Sequence, residues 1–154
     1  MKPKKVRILS AENSAYIAGV VDGEGTITLI RRNKGQNRRL SLTISNNDLA
    51  LLQWIKKIVG VGVMITKRTY SKKHFPSFTY SVSNTQAYDL IERIEPYLRG
   101  FKKLRARIVL KNYHKLTPRN GKYTDQALAK REEFIKKFFG LKTATARVFD
   151  SFKI

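Results

Sequence analysis

Hydrophobic residues recur along the chain with two different periods. Leu40, Leu42 and Ile44 alternate with hydrophilic residues, which is the pattern of a strand with one buried face. Leu52 and Ile55 belong to the second kind of segment, in which hydrophobic residues recur every three or four positions as in an amphipathic helix. These patterns predict the order α-β-β-α-β-β-α-α-α. The predicted segments are 11–22, 26–32, 39–45, 48–59, 63–70, 78–82, 84–95, 101–113 and 124–139, with a short further helix at 143–152.

The strands fall into two pairs, each joined by a basic, polar loop. Two consecutive hairpins predict one four-stranded antiparallel sheet whose inner face is covered by helices, so the predicted fold class is α+β. Ser10 is the predicted N-cap of the first helix, and Asn46 or Asn47 that of the second. A chain of 154 residues is most simply a single domain.

The charge of the chain indicates what kind of partner it has. There are 32 basic and 11 acidic residues, giving a formal net charge of +21. A field of this size predicts a polyanionic partner, with nucleic acid first and an anionic membrane surface second. A membrane is disfavoured because the basic residues lie in strands and loops as much as on any one helix. No apolar run approaches the roughly 20 residues that span a bilayer.

Two further features of the sequence bear on the location of the protein and on the kinds of structural site it can contain. Residues 1–5 are basic, but no long apolar segment follows them, so we expect no secretory signal and an intracellular location, in the cytoplasm or an organelle. Cysteine is absent, which excludes a disulfide framework and a cysteine-based zinc site. His74 and His114 stand alone and are expected at the surface.

The outward positions of the predicted strands carry hydroxyl and basic side chains. A twisted antiparallel sheet can lie along the major groove of DNA, with outward side chains spaced by about 6.6–6.8 Å along each strand. The alternative is that this face is simply solvated. That explanation is less convincing when all four strands carry hydroxyl and basic side chains. The candidate DNA-binding residues are Thr26, Thr28, Ile30, Arg32, Arg39, Ser41, Thr43, Thr66, Arg68, Ser77, Thr79 and Ser81.

The stretch 17–25 combines acids and glycines in an otherwise basic chain. Ala15, Gly19 and Gly23 form a line of small side chains at helical spacing, which predicts a close contact with another helix. Glu24 and the carbonyl of Gly23 offer hard oxygen ligands at the end of that helix, as Mg²⁺ prefers. An exposed helix end or a capping acid is the alternative explanation of Glu24.

Residues 17–25, Ile-Ala-Gly-Val-Val-Asp-Gly-Glu-Gly, resemble the LAGLIDADG motif of homing endonucleases, with Glu24 at the position of the metal-binding acid. The order of the following elements is also similar to that family, over about residues 10–113, so that 114–154 would be a helical extension. The resemblance implies a saddle-shaped sheet and a site-specific double-strand DNA endonuclease, often intron-encoded, that leaves short 3′ overhangs. It also implies Mg²⁺ as cofactor, which Mn²⁺ or Ca²⁺ can replace in the site.

The motif occurs once, and single-motif members of the family act as homodimers. The resemblance therefore implies that two copies pack through Ala15, Gly19 and Gly23. Each copy brings one Glu24 to the two-fold axis, and the target is long and pseudo-palindromic. Asp22 then becomes a structural acid.

Two further positions follow from the resemblance. The family places a basic residue after the second αβ block, to stabilise transition-state charge; Lys102 matches it best and Lys103 is the second choice. A polar residue, often Gln, follows the second strand in many members, and the matching position here is about Asp48. Asp48 could alter a water network, contact a metal or simply cap a helix.

The leading hypothesis is therefore a metal-dependent DNA endonuclease. The alternative is a non-cleaving binder of the same fold, either an RNA-splicing maturase or a DNA-binding regulator. A structural RNA-binding protein is a third class, which the paired acids disfavour.

Overall fold

The computed structural model describes residues 2–67 and 72–141. The observed order of elements agrees with the predicted one, and a short 3₁₀ turn, Glu95–Tyr97, follows the third helix. The predicted helix at 143–152 and the second half of the strand predicted at 63–70 lie outside the described residues. The elements are α1 (Ala11–Glu24), β1 (Gly25–Ile30), β2 (Arg39–Asn46), α2 (Leu49–Val59), β3 (Val63–Lys67), β4 (Ser77–Ser83), α3 (Asn84–Ile94), α4 (Lys102–Asn112) and α5 (Asp125–Gly140).

Local hydrogen bonds explain where the first two helices begin. Ser10 is the predicted N-cap of α1, and its hydroxyl accepts from the backbone amide of Asn13 at 3.1 Å. The predicted cap of α2 was wrong. Asp48 caps that helix by accepting from the amide of Leu51 at 3.1 Å, because Asn46 still belongs to β2.

The helix α1 passes directly into β1 without a loop. It extends through Glu24, two residues beyond the predicted end, and Gly25 begins the strand. The amide of Gly25 donates to the carbonyl of Val21. A Cβ at Gly25 would lie 2.7 Å from the Val21 Cα, so only glycine allows this approach.

The four strands form one antiparallel sheet in the order β1-β2-β4-β3. Cross-strand partners share a face, and the register aligns Ile27 with Leu42 and Ile44 with Tyr80. These side chains are fully buried, so this inner face packs against the helices. The opposite, outer face carries most of the residues predicted to bind DNA.

The helix α5 is part of the hydrophobic core. Phe134 and Phe138 belong to the same buried cluster as Ile17 of α1 and Val109 of α4. Arg131 is also buried, and its guanidinium donates to the carbonyl oxygens of residues 116 and 38. Of the segment predicted as an extension, 114–154, the part that the structure describes therefore packs against the rest of the domain through α5.

The basic N-terminal segment is held against α2 and α3. The amide of Arg7 donates to the carbonyl of Val59 at 2.9 Å, and its guanidinium donates to the carbonyl of Lys57 at 3.1 Å. Gln86 donates to the carbonyl of Lys4 at 2.8 Å. This segment is therefore fixed beside the C-terminal end of α2. Within the described ranges, no helix is both long and apolar enough to cross a membrane.

Removing the Phe138 ring tests whether α5 is integral to the domain. Phe138 is fully buried, so Phe138→Ala should lower the free energy of unfolding by about 3–5 kcal/mol in urea denaturation. The matched control is Phe139→Ala, since Phe139 is 43% exposed and should cost roughly 1 kcal/mol. Equal effects of the two changes would show that α5 contributes no more at its buried face than at its surface.

Candidate functional site

Glu24 lies exposed at the C-terminal end of α1, with one carboxylate oxygen oriented by a neighbour. The amide of Asn46 donates from Nδ2 to Glu24 Oε2 at 2.7 Å, and Asn46 Oδ1 accepts from the backbone amide of Asp48 at 2.8 Å. Asn46 therefore connects the end of β2 to the acid. Sequence reasoning missed this role.

A signal for Asn46 was present in the hydrophobic pattern of β2. Leu40, Leu42 and Ile44 point inward, and the same period of two places Asn46 on the inner face. An amide at that position needs a polar partner. By contrast Asp48, the predicted family position, acts as the helix cap described above.

Asp22 has a structural role, as the sequence interpretation concluded. Its carboxylate accepts from the backbone amide of Arg99 at 2.7 Å and from that of Gly100 at 3.1 Å. A Cβ at Gly100 would lie 3.2 Å from Asp22 Oδ1, so the chain approaches the acid closely here. Asp22 thus joins α1 to the segment that precedes α4.

Lys102 lies against the same end of α1. Its ammonium donates to the carbonyl of Val21 at 2.8 Å and to that of Asp22 at 2.9 Å. Lys103 lies elsewhere, with its ammonium 3.4 Å from the carbonyl of Pro96. Burial lowers the pKa of the Lys102 ammonium, and the nearby charge of Asp22 offsets part of that effect. The structure thus places Lys102, and not Lys103, beside the motif.

The line of small residues on α1 is open. Ala15, Gly19 and Gly23 are exposed, and no described atom beyond the immediate chain lies within 4 Å of a Cβ placed on Gly19 or Gly23. They line a shallow groove of about 410 Å³ that also reaches Glu24 and Asn46. The inner side of α1, which includes Ile17 and Val21, is buried, so the small residues form the free side of the helix.

Most of the predicted DNA-binding residues lie on the outer face of the sheet. The register aligns Thr28 with Ser41, Thr43 with Ser81, and Ile30 with Arg39. Arg32 follows the end of β1 and lies in the hairpin loop. Ser77 shares this face at the start of β4, and Thr26 shares it near the start of β1.

Two of these outward positions are covered in the free chain. Ser41 is 2% exposed and Thr79 is 8% exposed, because both lie on the two central strands. The hydroxyls of Thr79 and Ser45 share a hydrogen bond of 2.8 Å. These two residues are therefore less accessible than Thr26, which is exposed.

The prediction for β3 was wrong about which residues face outward. Thr66 aligns with Phe78, so it lies on the face opposite to Thr79. Val63 aligns with Ser81 and Ile65 with Thr79, and both aliphatic side chains are on the outer face. The sequence could not show this, because residues 63–65 are all apolar and have no alternation. Arg68 lies outside the described residues.

A basic cavity of about 840 Å³ lies beside this part of the sheet. No acid is found among the described residues that line it, and the Nε atom of Arg39 is buried there without a hydrogen-bond partner in the described structure. Of the cations that line the cavity, Lys4, Arg7, Lys56 and Lys57 were not predicted, because only the fold brings the N-terminal segment and α2 together. The cations that line it are Lys4, Arg7, Arg32, Arg39, Lys56 and Lys57.

Whether a metal ion could bind at Glu24 depends on which ligand atoms the neighbouring residues offer. Within the described ranges, no cluster of three or more Asp, Glu, His or Cys side chains is present. Glu24 and the carbonyl of Gly23 are hard oxygen donors beside an open groove. Mg²⁺ often binds one or two carboxylates together with water and phosphate oxygens. The oxygen donors of Glu24 and Gly23 therefore fit the ligand chemistry of Mg²⁺.

Comparison with known proteins gives a consistent result. The family model for the LAGLIDADG endonuclease matches residues 17–114, well over half of the chain. The chain is similar to the homing endonuclease I-CvuI in complex with its target in the presence of Ca, at 25% identity and a TM-score of 0.69, covering 86% of this chain and 83% of that chain. It is also similar to I-CvuI with an I-CreI target in the presence of Mg, at 23% identity and a TM-score of 0.66, over 85% and 82% of the two chains.

A longer protein shares the fold. The LAGLIDADG homing endonuclease I-GzeII, in complex with its DNA target, matches at 20% identity and a TM-score of 0.66. That match covers 90% of this chain and 48% of that chain. The fold of this chain thus corresponds to about half of I-GzeII.

Replacing the two neighbouring lysines tests the contact that Lys102 makes with α1. Lys102→Met should lower the free energy of unfolding by about 1–3 kcal/mol, because two carbonyl oxygens lose a charged donor. Lys103→Met is the control and should change it by less than about 0.5 kcal/mol. Urea denaturation measures both, and a Lys102 variant as stable as the control would contradict this assignment.

Proposed function

Because the chain belongs to the LAGLIDADG endonuclease family, we propose that it is a site-specific endonuclease for double-stranded DNA. The observation that carries the proposal is the position of Glu24, an exposed carboxylate at the end of α1 that Asn46 orients. This contact fixes the direction of the carboxylate at the end of the motif helix, which suits a metal ligand. A non-cleaving regulator would have no need of an acid in this position.

The open side of α1 supports a homodimer. Ala15, Gly19 and Gly23 leave room for the backbone of a second α1, and small residues are what a close helix contact needs. A two-fold axis through this contact brings one Glu24 from each copy to the centre. Each acid then serves one DNA strand, and the target is pseudo-palindromic because it mirrors the protein.

The outer face of the sheet supports DNA as the substrate. Hydroxyl and basic side chains on one face, in a chain of net charge +21, suit phosphates and base edges. I-CvuI has been seen in complex with DNA targets, in a structure of the same fold. Each copy would place its sheet along one half of the target.

The residues at the end of α1 divide the chemical work. A bound Mg²⁺ would activate water and neutralise charge developing on the phosphate, and Mn²⁺ or Ca²⁺ could occupy the same site. Glu24 and the Gly23 carbonyl would hold the ion, while Asn46 fixes the orientation of the carboxylate. Lys102 holds the last turn of α1 in position. Its positive charge would stabilise the charge that develops on the scissile phosphate. The products would carry short 3′ overhangs, and intron encoding is the expected genetic setting.

Neutralising Glu24 separates cleavage from binding. Glu24→Gln keeps the size of the side chain but removes its charge, so cleavage of a randomised DNA library with Mg²⁺ should fall to background. DNA binding in gel-shift assays should stay within about threefold of wild type, because one acid adds little to a phosphate-dominated affinity.

The same experiment identifies the alternative functions. Wild-type protein that binds DNA without cutting it would point to a regulator. Binding of structured RNA in preference to DNA would point to a maturase. Cleavage by the Glu24→Gln variant at the wild-type rate would refute the metal-binding role.

Filling the groove on α1 tests the dimer. Gly19→Leu should convert dimer to monomer in sedimentation experiments, because the added side chain occupies the space for the second helix. The fold should survive, since leucine favours a helix over glycine by roughly 1 kcal/mol. The control is Gly140→Leu, at an equally open glycine at the end of α5, which should leave the dimer intact. A stable, active Gly19→Leu dimer would rule out this contact.

A further inference from the structure

Val63 and Ile65 are large aliphatic residues on the sheet face that should meet DNA. Their side chains are 57% and 49% exposed, and both point to the same side of β3 as Ser81 and Thr79 do on β4. Neighbouring outward positions on β1, β2 and β4 are mostly hydroxyl or basic. An exposed aliphatic pair at the edge of a polar face needs an apolar partner.

The surroundings of the pair identify the chemistry of that partner. Both residues line the basic cavity together with Arg32, Arg39 and Lys56. A second copy of the chain docked at this face would bring like charges together, at a net charge of +21 per copy. The partner must therefore be polyanionic and yet offer apolar groups.

Double-stranded DNA meets both requirements in its major groove. The only apolar group that an unmodified base pair presents there is the 5-methyl of thymine, and aliphatic side chains contact it. Phosphates on either side would meet the cations of the cavity. Among the residues that the structure describes, none accepts a hydrogen bond from the buried Nε of Arg39, which leaves a donor available in this cavity.

We propose that Val63 and Ile65 read thymine through its 5-methyl group. The inference rests on the proposed function, because it needs DNA along the sheet. The two side chains are about 6.6–6.8 Å apart along the strand, close to two base-pair steps of about 3.4 Å. The half-site therefore carries thymine at two positions separated by one base pair.

Deoxyuridine provides the test, since it pairs like thymidine but lacks the methyl group. Randomised duplex pools are prepared once with thymidine and once with deoxyuridine, and bound sequences are selected from each by the wild-type protein. In the thymidine pool, two thymines separated by one base pair should be enriched in each half-site. In the deoxyuridine pool, this preference should disappear while preferences at other positions remain.

The binding affinity for a selected duplex measures how much one thymine methyl group contributes. Replacing one of the two thymidines by deoxyuridine should weaken wild-type binding about fourfold, the effect of removing one buried methyl group. The variant Val63→Ser/Ile65→Ser leaves only a hydroxymethyl group at both positions, so no methyl group of these side chains remains to contact the base. It should bind the two duplexes equally well.

An aliphatic residue outside the cavity supplies the matched control. Ile8 is 95% exposed and does not line the cavity, so Ile8→Ser should keep the fourfold sensitivity to the methyl group. Thermal unfolding of each variant confirms that the sheet is intact.

The possible failures are distinguishable. Wild-type protein that enriches the same positions from both pools would overturn the reading of thymine, and leave the proposed function standing. A Val63→Ser/Ile65→Ser variant that keeps the sensitivity would assign it to other residues and overturn the inference. Wild-type protein that enriches no sequence from either pool would overturn the proposed function and this inference with it.

Discussion

The geometry of the site depends on two sets of hydrogen bonds at the C-terminal end of α1. Lys102 donates to two carbonyl oxygens of the last turn, while Asp22 of that turn accepts from the backbone amides of Arg99 and Gly100. Lys102 brings positive charge to the carbonyl end of the helix, and Asp22 brings a carboxylate to two backbone amides. Together they fix α1 against the segment before α4, and so they fix where Glu24 lies.

Patterns within one element predicted the fold well. The alternation in β2 and the helical spacing in α2 gave the elements and their order, because each pattern reports the burial of a single face. The small residues of α1 were also visible at helical spacing. In the structure they lie on the exposed side of that helix.

Relations between distant elements were harder to predict. The contact of Asn46 with Glu24 joins β2 to α1, and the choice between Lys102 and Lys103 depends on how α4 approaches α1. Which residues of β3 face outward could not be predicted, because its apolar residues are consecutive and do not alternate with polar ones. The basic cavity brings Arg7, whose amide is hydrogen-bonded to Val59, together with residues of α2 and of the sheet. Each of these features depends on packing that no local pattern encodes.

The direct passage from α1 into β1 has a consequence for how such a protein could acquire new targets. One residue, Gly25, separates Glu24 from Thr26, so the two Cα atoms are at most about 7 Å apart. No linker can lengthen or shorten to move the proposed cutting position relative to the sequence that the sheet reads. The distance between the proposed cutting position and the reading surface is set by the covalent chain itself. New specificity would then have to arise by exchanging side chains on a frame of constant spacing.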